Sequence, residues 1–420
     1  MIKHLIKLVW NRKRENVLMS IELFFAFMVL AMIATQSYSL YERWKQPLGF
    51  SYENIWHLSI NTNSNENRWT EERIKGYENL IRELKSIDGV ESVTMSSMTP
   101  FHNMNWNSSD SSGILAQPVM VERMGVDDNY AETMGIRVIE GRWYEKADDA
   151  LDYYPVVVNQ ALAKALYGDE SPIGKQLLPR YETPEILARW QKRFPNRVRK
   201  QNRIVGVVDA FRKQGEFDET KYFAFSRVNT NDTLAFPPEN FFIRVRADKM
   251  TGEFEAAMVK RLEPLIPGWT YATETLKAHH DQRFKETISP MITFAIVGGF
   301  LILMISLGIV GVVWQNVARR TREIGLRRAV GSTANLIYSQ VLLELLVVAV
   351  FAIVVGSFVF LQFPILDVPF LGFIEGLSWR HYLVGCGASC VVLLAIAFLC
   401  ALYPSRVATT VAPTEALRYE

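Results

Sequence analysis

The sequence is poor in cysteine, and it has no excess of charge of either sign. Its three cysteines, Cys386, Cys390 and Cys400, all lie near the C-terminus, so residues 39–290 cannot form a disulfide. The 46 basic and 44 acidic residues give a net charge of +2, which is no reason to expect a nucleic-acid partner. A cysteine-free region of about 250 residues must be stable through its hydrophobic core, and it is long enough for one.

Catalytic and nucleotide-binding motifs are also missing. In the stretch GDESPIGKQ, Gly168 and Gly174 are separated by five residues instead of four, and Gln176 stands where serine or threonine would bind magnesium. We interpret this stretch as a turn. The histidines lack zinc-ligand spacing, and HHD at 279–281 is expected to be a solvated part of a helix. With no Walker motif or nucleophile elbow either, we expect no enzyme activity, no cofactor and no metal in this chain.

Four long apolar segments dominate the hydropathy pattern. Each provides the roughly 20 apolar residues that a helix needs to cross a bilayer. The predicted membrane spans are residues 17–38, 291–316, 333–361 and 381–403. The first span is interpreted as an anchor and not as a cleaved signal peptide, because its apolar run is long and no A-x-A cleavage site follows it.

Basic residues near the spans predict the orientation of the chain. The N-terminal arm (1–16), the segment 317–332 and the tail (404–420) contain arginine or lysine, whereas the segment 362–380 contains only Arg380. By the positive-inside rule, both termini and the segment 317–332 are expected in the cytoplasm. The region between the first two spans is then expected on the other, external side of the membrane.

This large external region (39–272) alternates between strand-like and helix-like patterns. A strand, helix, strand unit is predicted at 53–95 and a second one at 240–272, with an inserted subdomain at 96–239. Residues 273–290 are predicted to form a polar stalk helix that leads into the second span. The predicted fold class is therefore an α-helical membrane protein with four transmembrane helices plus a large α/β (α+β) periplasmic domain of two subdomains.

Several stretches resemble a known family. The densest basic stretch is RTREIGLRRAVGST (320–333), and together with Ile337, Gln340 and Glu344 it resembles the cytoplasmic loop and third span of FtsX-like permeases of ABC transporters. The tail YPSRVATTVAPTEALRYE is similar to the C-terminal segment of that family. In the external region, VDDNYAETMGIRVIEGRWY and SPIGKQL are similar in order and spacing to the MacB-type members.

The resemblance implies a permease subunit of the bacterial inner membrane whose external region is periplasmic. Two such subunits would form a homodimer or heterodimer on a separate cytoplasmic ABC ATPase, and that ATPase would bind ATP and magnesium. Segment 317–332 would be the coupling loop that the ATPase receives. The residues expected to act there are Arg319, Arg320, Arg322, Glu323, Ile324, Gly325, Leu326, Arg327, Arg328 and Gly331. The arginines can pair with carboxylates of a partner or with lipid phosphates, and the apolar residues can add contact area. The alternative interpretation is a charge signal that only orients the helices.

Polar residues within the predicted spans are a second group of candidates. Glu22 lies near the cytoplasmic end of its span and is interpreted as structural. Gln340 and Glu344 share one helical face, and two hypotheses stay open for Glu344: a hydrogen bond across a dimer interface, or a structural role. Two pairs have the small-xxx-small spacing that permits close helix contacts: Ala352 with Gly356, and Gly385 with Ser389.

From these features we predict that the chain transmits ATP-driven motion to its periplasmic domain for export or extrusion of a periplasmic cargo. The alternatives are a regulator that activates a periplasmic cell-wall hydrolase, and a membrane-anchored binding protein without an ATPase. A periplasmic adaptor or an outer-membrane protein is a further candidate partner. The insert 178–203 is strongly basic, which predicts either a solvated face or a docking site for an acidic partner or lipid phosphates.

Overall fold

The structure is a computed structural model. It describes residues 13–61, 69–102, 107–110, 119–177, 188–189, 192, 200–219, 221–230, 237–265, 268–366 and 377–410. The chain divides into two compact units: Arg43–Thr287 forms one, and Met1–Glu42 with Ile288–Glu420 forms the other. We call them the external unit and the membrane unit.

The helices and strands are numbered in chain order. The helices are α1 (Lys13–Trp44), α2 (Glu71–Lys85), α3 (Tyr130–Met134), α4 (Gln160–Tyr167), α5 (Gly252–Leu262), α6 (Leu276–Arg319), α7 (Thr321–Ala329), α8 (Ala334–Phe360), α9 (Gln362–Ile365) and α10 (Trp379–Thr410). The strands are β1 (Ile55–Asn61), β2 (Val90–Ser96), β3 (Asn107–Asp110), β4 (Val119–Val126), β5 (Val138–Gly141), β6 (Tyr154–Asn159), β7 (Asn202–Val208), β8 (Phe223–Arg227), β9 (Asn240–Val245) and β10 (Thr270–Thr275).

Helix α1 packs against glycines of the other three long helices of the membrane unit. A Cβ added to Gly356 of α8 would lie 2.5 Å from the Phe27 ring, and one added to Gly385 of α10 would lie 1.9 Å from Thr35 Oγ1. On α6, Gly308 faces the Glu22 carboxylate in the same way. Two of the predicted small-xxx-small positions therefore do bring helices close together, and in both cases the neighbour is α1.

A polar cluster joins the end of α1 to the beginning of α10. Glu42 accepts a hydrogen bond from the Tyr38 hydroxyl at 2.6 Å, and its other oxygen lies 3.1 Å from His381 Nε2. The Ser378 backbone N–H donates to His381 Nδ1 at 3.0 Å, so the imidazole proton is on Nε2 and faces Glu42. Arg380 adds an ion pair to the same carboxylate at 3.4 Å.

The external unit contains one mixed sheet. Its strand order is β10-β1-β9-β2-β4-β8-β6-β7-β5, with β3 paired to β4. The pairs β4–β8 and β6–β7 are parallel. The four strands at one end, β10-β1-β9-β2, come from two strand, helix, strand units, which is the order of a split βαβ, ferredoxin-like fold.

The two predicted subdomains share this sheet. Strands of the first are covered on one face by α2 and α5, which bury Tyr77, Leu80 and Met258. Strands of the inserted part join them where β2 pairs with β4, at the single register position Ser96 opposite Val126. The predicted fold class, four membrane helices with a mixed α/β domain, is confirmed. Residues 173–174 form the expected turn, whereas most of the basic insert 178–203 lies outside the described residues.

The predicted boundaries of the stalk need correction. Residues 273–275 are not helical, because they end strand β10, which pairs with β1 from Asn61 to Trp56. Helix α6 begins at Leu276 and continues through Pro290 to Arg319 as one helix of 44 residues. Two other spanning helices also extend beyond the predicted spans, since α1 ends at Trp44 and α10 runs to Thr410. Helix α8 (Ala334–Phe360) lies within its predicted span.

The prediction that residues 279–281 are solvated is wrong for both histidines. His280 is 11% exposed and lies 3.1 Å from Glu216, and its ring stacks on Tyr52. His279 Nε2 lies 2.9 Å from Nδ1 of the buried His57. These contacts escaped prediction because their partners are far away in the sequence.

His57 is held neutral by its surroundings. Its Nε2 lies 3.0 Å from Asn240 Oδ1, which can only accept, so Nε2 carries the proton and Nδ1 accepts from His279. Burial lowers the pKa of His57 from 6.5 to about 4. The unfolded chain therefore binds this proton at a higher pH than the folded chain does. The stability that depends on neutral His57 is complete above pH 6.5 and is lost as the pH falls toward 4.

We predict that this loss amounts to about 3 kcal/mol between pH 6.5 and 4, at about 1.4 kcal/mol per pH unit. His57→Gln should be less stable than the natural protein at pH 7 but should lose less stability on acidification. Urea unfolding of the full chain in detergent, followed by tryptophan fluorescence at several pH values, measures both. Lys85→Gln, at an exposed position of α2, is the control and should leave the slope unchanged. Equal slopes for His57→Gln and the natural protein would contradict the assignment.

A second prediction concerns the approach of α10 to α1. Gly385→Ala places a methyl group against the backbone and hydroxyl of Thr35, so it should destabilise the membrane unit by about 1 to 3 kcal/mol. Gly387→Ala is the matched control, because a Cβ there meets nothing within 4 Å. Thermal unfolding in detergent compares the two variants. If they unfold at the same temperature, the close contact is not as described.

Candidate functional site

The predicted coupling loop contains a short helix. Helix α6 ends at Arg319, Arg320 forms a turn, and α7 follows from Thr321 to Ala329. Gly331 ends the segment in the left-handed conformation, with φ of 103°, which suits glycine. The Ser332 backbone N–H then donates to the Arg327 carbonyl at 2.9 Å. The chain thus leaves α7 by a tight turn into α8.

A continuous polar network joins α7 and its preceding turn to α8. Arg320 Nη1 lies 2.5 Å from Glu344 Oε2. The other oxygen of Glu344 accepts from Gln340 Nε2 at 3.2 Å. The amide oxygen of Gln340 in turn accepts from Arg327 at 2.8 Å, and Arg327 also donates to Glu323 at 2.6 Å. These five side chains form one connected chain of hydrogen bonds.

The inner end of this network is much less exposed than its outer end. The side chains of Arg320 and Glu344 are 14% and 16% exposed, whereas those of Arg327 and Glu323 are 40% and 44% exposed. An ion pair removed from water is costly to break, because one charge then stays in a poorly solvating environment without its partner. Arg320 and Glu344 are therefore the most strongly joined pair of the network.

A small cavity of about 50 Å³ lies beside the network. Polar groups that line it include Asn316, Arg320 and Glu344, and Met19 and Ile337 are among its apolar neighbours. Drug-sized ligands occupy pockets of about 300 to 1,000 Å³, so this space suits one or two water molecules and not a transported substrate. The site is built for holding helices together.

Helix α7 has a buried and an exposed apolar side. Ile324 is 6% exposed and packs into the core of the membrane unit with Ile337. Leu326 is 56% exposed, and Val330, just after the helix, is 82% exposed. Leu326 is followed directly by Arg327 in the sequence, so α7 offers apolar area close to a positive charge.

The structure brings together only part of the predicted site. Arg320, Glu323, Arg327, Gln340 and Glu344 meet in the network, as described above. Arg319 is exposed and Gly325 is buried, and the side chains of Arg322 and Arg328 lie outside the described part of the structure. Within the chain, Glu344 bonds to Arg320 and Gln340, and the hypothesis of a bond across a dimer interface stays a prediction. The signal for Arg320 was available, since a carboxylate inside an apolar helix needs a cation near the same membrane face.

Two further sequence predictions concern Glu22 and metal binding. Glu22 Oε2 is buried with no hydrogen-bond partner in the structure as described, and it lies against Gly308. Across the described ranges, no three His, Cys, Asp or Glu side chains stand where they could hold a metal ion.

Comparison with known families matches both units. The FtsX-like permease C-terminal family matches residues 295–413, and the MacB-like periplasmic core domain matches residues 25–261, more than half of the chain. The chain belongs to the MacB-type, FtsX-like ABC transporter permeases. The family resemblance found in the sequence is thereby confirmed.

Relatives within these permeases are distant. Macrolide export ATP-binding/permease protein MacB of Bdellovibrio bacteriovorus is 24% identical over 353 residues, which cover 80% of this chain and 48% of that protein. The uncharacterized ABC transporter permease YknZ of Bacillus subtilis is 23% identical over 359 residues, covering 84% of this chain and 80% of that protein. This chain thus spans about half the length of the MacB relative.

Among solved structures, the periplasmic region of MacB from Actinobacillus actinomycetemcomitans is 15% identical, with a TM-score of 0.37. The match covers 59% of this chain and 98% of that one. The extracellular domain of the noncanonic ABC-type transporter YknZ from Gram-positive bacteria gives a TM-score of 0.33 at 14% identity, covering 52% of this chain and 100% of that one.

The network predicts unequal effects of removing its carboxylates. Glu344→Gln leaves Arg320 charged and poorly solvated, so it should destabilise the membrane unit by about 3 kcal/mol. Glu323→Gln removes an exposed pair and should cost about 0.5 kcal/mol or less. Unfolding in increasing dodecyl sulfate, followed by circular dichroism, measures both changes.

A double variant separates the ion pair from general packing. The double variant, Arg320→Met with Glu344→Met, removes both charges of the pair. It should lose less stability than the sum of the losses measured for Arg320→Met and Glu344→Met alone. Strict additivity of the two single effects would show that the pair is not coupled.

Proposed function

We propose that this chain is the permease subunit of a dimeric ABC transporter, in which α7 receives the motion of a separate cytoplasmic ATPase. The observation that carries this proposal is the poorly exposed Arg320–Glu344 pair, which ties the base of α7 to α8. In this function ATP and magnesium are bound by the ATPase. The permease contributes no catalytic residue and acts by moving.

The network gives α7 a stiff connection to the membrane helices. Arg327 and Glu323 lie at the outer end, Gln340 is in the middle, and Glu344 is at the inner end. A push that moved α7 away from α8 would have to separate the poorly exposed pair of Arg320 and Glu344. Such a separation is strongly unfavourable. The push is therefore passed to α8 and, through the turn at Arg320, to α6.

The exposed side of α7 suits a protein partner. Leu326 and Val330 offer apolar area that contributes little to the permease's own core. Arg327 directly follows Leu326 in the sequence, and its partly exposed guanidinium is able to pair with a carboxylate on the partner. A short helix with apolar residues and cations can enter a cleft that has an apolar floor and an acidic rim.

The orientation proposed for the chain follows from the same arginines. Placing α7 in the membrane would cost about 2.5 to 3.5 kcal/mol for each arginine. The arginines thus keep α7 out of the membrane, and the positive-inside rule selects the side. Both termini and α7 are assigned to the cytoplasm, and the external unit to the periplasm. The MacB-like periplasmic core match over residues 25–261 supports this assignment.

The work of the transporter is proposed to take place on periplasmic cargo. The MacB relative is named for macrolide export, and the cavity beside Arg320 is too small for a molecule of that size. We therefore assign to this chain the export of a cargo that the external units of two copies displace when α6 moves. A periplasmic adaptor or outer-membrane protein would complete the route.

Purification from the native host tests the proposal. The tagged full-length chain, taken up in mild detergent, should copurify with an ABC ATPase that mass spectrometry identifies. Absence of any ATPase, with the permease folded and in the membrane, would contradict the proposed function.

The docking side of α7 gives a sharper prediction. Leu326→Asp with Val330→Asp should lower the copurified ATPase by about tenfold or more, because both changes place charge in the apolar contact. Thr333→Asp with Asn335→Asp is the matched control: it adds the same two charges at the exposed N-cap and in the first turn of α8, where aspartate is tolerated. The control should retain the ATPase. Equal retention by both variants would place the docking surface elsewhere.

A further inference from the structure

The external unit contains a fully buried arginine with no role in the proposed coupling site. Arg212 is 1% exposed, and it lies in the loop 211–218 (FRKQGEFD), which we call the clamp loop. Its guanidinium donates to four backbone carbonyls. Nη1 donates to Arg43 at 2.7 Å and Gln46 at 3.1 Å, and Nη2 donates to Glu216 and Asp218, both at 2.5 Å.

Two of these acceptors belong to the segment where the chain enters the external unit. The Arg43 carbonyl is at the end of α1, where helix carbonyls lack intrahelical partners and carry partial negative charge. The Arg212 backbone N–H also donates to the Leu48 carbonyl at 3.0 Å. Gly49 approaches the Ala210 carbonyl so closely that a Cβ would lie 1.9 Å from it, and its φ is 88°. The entering segment 43–49 is thus tightly held.

The same loop holds the beginning of α6, where the chain leaves the external unit. Glu216 lies 3.1 Å from His280, and Gln214 accepts from Arg283 at 2.7 Å. The ring of Phe217 lies 5.4 Å from that of Phe284. Three contacts therefore follow one face of α6, at positions 280, 283 and 284.

The clamp loop is itself anchored to the sheet. Phe211 is 1% exposed and packs against Phe223 and Phe225 of β8. Lys213, also 1% exposed in its side chain, lies 3.4 Å from Glu122 of β4. The loop therefore connects the sheet with both the entering and the leaving segment.

Only arginine can make this arrangement. Its planar fork directs several N–H groups in fixed directions, whereas a lysine ammonium is a single compact donor group. Donors of a buried cation need acceptors, and here carbonyl oxygens of the entering segment and of the clamp loop accept from Nη1 and Nη2, whereas Nε has no hydrogen-bond partner among the described residues. Loss of either segment would leave the charge buried and poorly solvated, so each segment stabilises the binding of the other.

We propose that Arg212 is the positioning residue of a clamp that makes the segment 43–49 and the beginning of α6 move as one body with the sheet. This inference rests on the proposed function, in which α6 transmits motion. The clamp is then the place where a displacement of α6 is converted into a displacement of the whole external unit. Without it, α6 would still be continuous with strand β10, but the entering segment 43–49 would no longer be held to the same loop as α6.

Amide hydrogen exchange of the full chain in lipid nanodiscs tests the clamp without any ATPase. Glu216→Ala removes a side chain that contacts only the α6 side. It should raise exchange about tenfold in peptides from 276–287 and also, through Arg212, in those from 43–49. Glu216→Gln keeps an acceptor oxygen and should restore slow exchange in both. Glu219→Ala, three residues along, is the matched control and should change neither.

The outcomes separate the clamp from local packing. If Glu216→Ala raises exchange only in 276–287, the two segments are independent and the clamp is refuted. Arg212→Lys should raise exchange in both segments and in 211–218, and no change in 276–287 would also refute it. If Arg212→Lys fails to fold, the Glu216 series still decides. Because no ATPase is present, failure of the clamp is distinguishable from failure of the proposed function.

Discussion

The membrane unit depends on the close approach of α1 to three glycine-bearing helices. In hydrocarbon there is no hydrophobic driving force between helices, so packing distance determines how much dispersion energy is gained. Gly308, Gly356 and Gly385 remove the Cβ atoms that would keep α1 away. Helix α1 can therefore contact α6, α8 and α10, and its position fixes the distances between them.

That packing makes a polar network tolerable at the cytoplasmic end proposed for the unit. Arg320 and Glu344 are partly withdrawn from water, and each supplies what the other lacks. The pair is strong because its surroundings solvate charge poorly, and the same surroundings make each residue costly alone. Rigidity at this position thus follows from the membrane environment as much as from the geometry of the side chains.

Much of the fold could be predicted from the sequence, because apolar runs and basic flanks report directly on membrane helices. The alternation of strands and helices in the external region was likewise visible. The end of β10 at Thr275 could not be found this way, since strand pairing with β1 decides it. Nor could the partners of His279 and His280, because each lies on another element whose position depends on tertiary packing. Family resemblance pointed to segment 317–332, and a carboxylate within an apolar helix called for a nearby cation, but only the structure identified that cation as Arg320.

The acceptors of Arg212 are all main-chain carbonyls, and this has a consequence for how the protein can change over evolutionary time. A carbonyl persists whichever side chain is present at positions 43, 46, 216 and 218. Substitutions there cannot delete the acceptors, provided the backbone keeps its course. For these four hydrogen bonds, Arg212 is the one side chain that must be retained, and the side chains at positions 43, 46 and 218 can change without removing an acceptor.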